Sequence, residues 1–119
     1  MVDKFNQILS QILQEKQQLT IFAILKMDDL TDKWSVVLSA PWASSDNYTE
    51  VFNYVKNILN QKLSAEEKAS VARIAIYPKE DHAIESLLQF QAGTVIKEDT
   101  KVNGFMIHEG YILYSNPQS

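Results

Sequence analysis

The sequence predicts a single-domain α+β fold, and three observations carry that expectation. Three segments place apolar residues at helical spacing. Five short segments rich in β-branched and aromatic residues read as strands, bounded by Pro, Gly, Asn and Asp. The 119 residues, 45% of them hydrophobic, suffice for one core. The order read along the chain is helix, strand, strand, helix, strand, helix, strand, strand. The expected architecture is an antiparallel or mixed five-stranded sheet packed with three helices.

Residues 2–17 form the first helix, with Phe5, Ile8, Leu9, Ile12 and Leu13 on one face and glutamines on the other. Residues 19–27 are apolar on both faces, as in an interior strand covered on both sides. A turn at Asp28-Asp29-Leu30-Thr31-Asp32 leads into residues 33–40, where Trp34, Val36, Leu38 and Ala40 alternate with Lys33, Ser35, Val37 and Ser39. Two strands joined by about five residues make a hairpin.

Pro41 ends the second strand. Ser45 or Asp46 is the expected cap of a second helix that runs to about Lys62, with Tyr48, Val51, Phe52, Val55, Ile58 and Leu59 inward. The Ser64-to-Glu67 spacing is a capping box for one more short turn. Residues 71–77 are a short strand stopped by Pro78. Asp81 caps a third helix through Phe90, with Gly93 as its C-terminal stop. Residues 94–97 and 105–114 are the last two strands, the second bent or bulged at Gly110, and Asn103-Gly104 is the clearest turn between them. Residues 116–119 are expected to fray.

Composition narrows function by exclusion. With no cysteine, there is neither a disulfide framework nor a thiol nucleophile. The formal charge is −4, and Arg73 is the single arginine among 11 basic residues. Without arginine forks or a basic stripe, nucleic acid is not an expected partner. No apolar run approaches the ~18 residues of a membrane span, and the N-terminus lacks a signal-peptide core, so a cytoplasmic, membrane-free protein is expected. Gly93, Gly104 and Gly110 sit in no phosphate-binding pattern, and no cofactor is expected.

The remaining candidates are few. His82 and Glu85 stand three apart beside Glu80 and Asp81, a spacing able to chelate, but a capped helix start explains the same residues and no metal is expected. The acidic pairs Asp28-Asp29 and Glu98-Asp99 lie in turns, where solvated carboxylates are ordinary. Arg73 either clamps an anionic ligand or covers apolar surface with its stem. With His82 and His108 it makes the ligand-binding set of an enzyme or binding-protein reading. The surplus of aromatic residues favours a different reading, a non-enzymatic module that self-associates or binds a protein partner. Its interface candidates are Trp42, in a polar loop, and Tyr111, Leu113 and Tyr114, on a last strand that would recruit a partner if it lay at a sheet edge. Trp42 is expected to fold back onto the second helix near Tyr48 and Phe52.

Asp32-Lys33-Trp34 through Ser39-Ala40-Pro41-Trp42 resembles a stretch shared by small bacterial single-domain proteins, and the likeness extends loosely to residues 104–113. The resemblance implies a bacterial origin and carries no activity.

Overall fold

A computed structural model describes residues 1–27 and 32–118. Residues 28–31 of the predicted turn at 28–32, and with them the acidic pair Asp28-Asp29, lie outside the described residues, as does Ser119. The elements are α1 (Val2–Lys16), β1 (Ile21–Met27), β2 (Trp34–Ser39), a 3₁₀ turn (Ser45–Asn47), α2 (Tyr48–Lys62), α3 (Ala65–Ala69), β3 (Val71–Ile76), α4 (His82–Leu87), β4 (Val95–Ile96), β5 (Thr100–Val102) and β6 (Phe105–Ser115).

The expected α+β class holds, and the described residues form a mixed sheet of six strands rather than five and four α-helices rather than three. The sheet order is β3-β2-β1-β6-β4, with β5 pairing β6 beside β4. The extra strand arises because the turn before Asn103 pairs back on β6, Val102 opposite Phe105. The extra helix is the capped turn at Ser64, whose hydroxyl accepts from the Glu67 N–H. Two helix ends differ from the periodicity. α4 stops at Leu87 because the next apolar residues serve the connection, where the Gly93 N–H donates to the Ile112 carbonyl. The second helix starts one or two residues later than expected, because Ser44 and Asn47 first close a 3₁₀ turn through the Ser44 N–H and Asn47 Oδ1 (2.8 Å).

β1 occupies the centre. Its residues Ile21, Phe22, Ala23, Ile24 and Leu25 are at most 1% exposed, so both faces of the strand are buried, as its doubly apolar sequence requires. One face meets α1 and α2: Phe22 and Ile24 pack with Phe5, Ile8, Ile12, Trp34, Val36, Leu38, Val55 and Leu59. Burying each large side chain of this cluster contributes about 1.5–3 kcal/mol. The other face meets α4 and the β4–β6 region, where Ile21, Ala23 and Leu25 pack with Val37, Ile84, Leu87, Val102 and Ile107. β1 pairs antiparallel with β2 and with β6. β2 and β3 run parallel, connected through α2 and α3.

β6 is therefore an interior strand. It slips register opposite Phe22/Ala23 and Lys26/Met27, leaving Leu113 and His108 as the extra residues. The irregularities flank Gly110 rather than fall on it. Gly110 keeps a different role: a Cβ there would stand 2.7 Å from Leu25 Cδ2, so a larger residue would displace the buried Leu25 side chain from this part of the core. Beyond the strand, the Asn116 N–H donates to the Thr20 carbonyl, which ties down the start of the tail expected to fray.

α3 is pinned to α1. Glu67 Oε1 accepts from Lys4 Nζ and, at 2.8 Å, from the Ser64 N–H. The Lys4 hydrogen bond first, and the Ser64 backbone second, hold the Glu67 carboxyl down at about 2. A folded-state value below the unfolded one stabilises at higher pH, and that share disappears as pH falls from about 4.5 towards about 2. A carbon-detected NMR titration of Glu67 should have its midpoint near 2. Glu67→Gln should flatten the portion of the acid stability curve that lies in this window. A midpoint at an ordinary carboxylate value would contradict the pairing.

Candidate functional site

The two ends of the sheet differ in a way that bears on partners. At one end, β4 has two residues and β5 three, with Lys97, Glu98 and Asp99 between them and Lys101 in the middle of β5. Short, charged strands are poor templates for further pairing. At the other end, β3 runs for six residues, VARIAI, and among the described residues pairs only with β2. Its one charged side chain, Arg73, lies on a sheet face and not along the edge, since its Nε donates to Ser35 Oγ of β2 at 2.9 Å.

The direction of the β3 backbone groups follows from the parallel ladder. The Tyr77 N–H donates to the Leu38 carbonyl at 3.0 Å. Alternation then turns the amides and carbonyls of Arg73 and Ala75 towards β2 and those of Ile74 and Ile76 away from it. Ile74 and Ile76 thus offer two donors and two acceptors along an open edge. Their side chains are only half-buried against the core beneath α2.

α2 lengthens this surface. Tyr48 and Phe52 were expected inward, but the structure leaves Tyr48 43% exposed and Phe52 half-buried. The helix presents Val51, Val55, Ile58 and Leu59 to the core, and the row one step round it borders the edge strand. The Tyr48 and Phe52 rings stack at 6.2 Å, with Tyr48 near Ile76 and Tyr77, and Phe52 and Lys56 near Val71 and Ile74. The edge is therefore a backbone ladder flanked by a short aromatic row.

Trp42 does pack, against different partners from those expected. Its Nε1 donates to the Gln18 carbonyl at 2.6 Å, its ring meets Tyr54 edge-on at 6.0 Å, and Lys16 Nζ lies over both rings. Tyr54 donates to Glu15 at 2.6 Å; burial first, and the Glu15 carboxylate second, push its phenol well above the ordinary range. These residues lock the C-terminal end of α1 to α2. Tyr111, Leu113 and Tyr114 pack partly buried against the core beside α1, with Tyr111 5.9 Å from Trp34. The edge argument for these three falls with the interior position of β6.

The ligand-binding candidates do not converge on one cavity. Arg73 lines a small cleft with Met27, Ala75, Tyr77, Leu87 and Phe105, and Arg73 Nη2 lies 3.6 Å from Met27 Sδ. The cleft has about 20 Å³ of free space, room for about one water. Neither histidine lines it. Arg73 also lines a more open groove of about 310 Å³ on the α2 side, with Phe52, Lys56, Lys68 and Ile74 and without either histidine. His82 is exposed at the start of α4, 3.5 Å from Glu85, and His108 pairs with Asp99 at 2.7 Å on the outer part of β6. Among the described residues, no three His, Asp or Glu side chains are grouped as metal ligands, and no helix is long and apolar enough to cross a membrane.

No family model, curated protein or solved structure matches the chain.

Trp42 gives the clearest mutational test of this layout. Because it is half-buried, Trp42→Ala should cost about 2 kcal/mol, below the ~3–5 kcal/mol typical of a fully buried large aromatic. It should leave any self-association intact. A denaturant melt beside a sizing column checks both; a folded Trp42→Ala protein that loses association would place the interface at this loop instead.

Proposed function

We propose that the protein is a non-enzymatic interaction module that self-associates, using the open edge of β3 and the neighbouring row of α2. The observation that carries this reading is the combination at one edge: a six-residue strand with five apolar residues, outward-facing backbone groups at Ile74 and Ile76, and the stack of exposed Tyr48 on half-buried Phe52. Unpaired ladder groups are satisfied by water at best, and an added strand replaces that water with hydrogen bonds of good geometry. The aromatic row supplies the apolar area that a strand alone lacks, since a stable interface needs about 1,000 Å² in total.

A ligand-binding reading centred on Arg73 has less support. The cleft on the guanidinium's face admits about one water, the guanidinium already contacts Ser35 and Met27, and the roomier groove of about 310 Å³ that Arg73 also lines is the open one along β3 beneath α2, where neither histidine contributes.

Sedimentation velocity should show a species of twice the chain mass at micromolar concentration. Ile74→Lys, which sets a charge on the edge, should return the protein to a folded monomer. Tyr48→Ala, at a 43%-exposed position, should keep stability within about 0.5 kcal/mol and weaken association severalfold. A wild-type monomer at high concentration would overturn the reading.

A further inference from the structure

We infer that the partner on the β3 edge is a second copy of the same strand, running antiparallel, with the two-fold axis at Ala75. This register rests on the self-association reading above and adds to it which residues meet. Only Ile74 and Ile76 are shown to turn both backbone groups outward, because the ladder to β2 is irregular between Trp34 and Ser35, where Val71 and Arg73 are the successive partners. A two-fold at Ala75 sets Ile74 opposite Ile76 of the other copy, twice over. Each such pair exchanges both of its bonds, so the register forms four hydrogen bonds.

The neighbouring registers fare worse. A two-fold at Ile76 sets Ile74 opposite Pro78, which has no N–H to give, and sets Arg73 against Lys79, like charge against like. A two-fold at Ile74 sets Ile76 opposite Ala72, beside the ladder irregularity. The Ala75 register instead sets Arg73 opposite Tyr77, both on the sheet face that lines the small cleft. On the opposite face it gathers four isoleucines between the two α2 rows.

The ends of the edge also match head to tail. Lys56 and Lys68 flank the N-terminal end of β3. The exposed Tyr48 ring flanks its C-terminal end, close to the 3₁₀ turn that carries Asp46. Antiparallel pairing brings Lys56 and Lys68 of one copy towards the Tyr48 ring of the other, with Lys79 opposite Val71. A parallel arrangement would crowd the four lysines together. Two copies thus extend one continuous sheet through β3, and the partner's α2 covers the aromatic row.

The absence of native cysteine makes the register directly testable. Ala75 pairs with itself at a non-hydrogen-bonded position, where facing Cα atoms stand about 4.5 Å apart, inside the ~4.4–6.8 Å that a disulfide spans. Ala75→Cys, oxidised with diamide, should form a disulfide dimer at least about tenfold faster than Ile74→Cys or Ile76→Cys, whose thiols face a different residue of the partner. The comparison is read on non-reducing gels beside sedimentation of the wild type. If the wild type is a dimer that Ile74→Lys dissolves, yet Ala75→Cys is no faster than its neighbours, the register is overturned and the interaction module stands. If the wild type is a monomer and all three variants cross-link at collision rates, both the register and the module reading fall.

Discussion

The structure depends on burying β1 from both sides. Five consecutive residues of this strand are at most 1% exposed, which no single layer of helices can achieve. One face needs α1 and α2, and the other needs α4 with the β4–β6 region. The central place of β1 in turn sets its neighbours, the hairpin partner β2 and the long return strand β6. What is left for β3 is the outside of β2, where it is covered by α2 on one face and bordered by the small cleft on the other. The open edge is thus a consequence of the way the chain fills its centre first.

Much of this was legible beforehand. Hydrophobic on both faces, residues 19–27 announced an interior strand, and the alternation of 33–40 correctly divided Trp34, Val36 and Leu38 from Val37. The caps at Ser64 and Asp81 were visible as local chemistry, because a hydroxyl or carboxylate meets an N–H only two or three residues away. Less visible was anything set by distant residues. Periodicity shows that a strand exists but not which strand lies beside it, so β6 could pass for an edge and β3 for an ordinary member of the sheet. The short β5 was hidden in a turn, since three residues are too few to show alternation.

The aromatic residues show the same limit at the level of the site. Tyr48 and Phe52 lie at helical spacing with core residues, and spacing alone assigns them inward. Their exposure follows from where β3 ends, a fact of topology. Trp42 looked like the residue to watch because it follows a proline in a polar loop. In the fold it is held by Gln18, Tyr54 and Lys16, and it closes the end of α1. Pairing Tyr48 with Phe52 at i and i+4, next to a strand with no lysine and a terminal proline, was the available signal for the edge, and it becomes readable only once the parallel β2–α2–β3 connection is assumed.

The central claim is that Ile74 and Ile76 turn their amides to an open edge that a second copy covers. Hydrogen exchange resolved to single residues, followed as a function of protein concentration, tests it most directly. The account predicts that the amides of Ile74 and Ile76 exchange quickly in dilute solution and become protected as concentration rises, while those of Ala75 and Tyr77, bonded to β2, stay protected throughout. Exchange at Ile74 and Ile76 that is independent of concentration would contradict it.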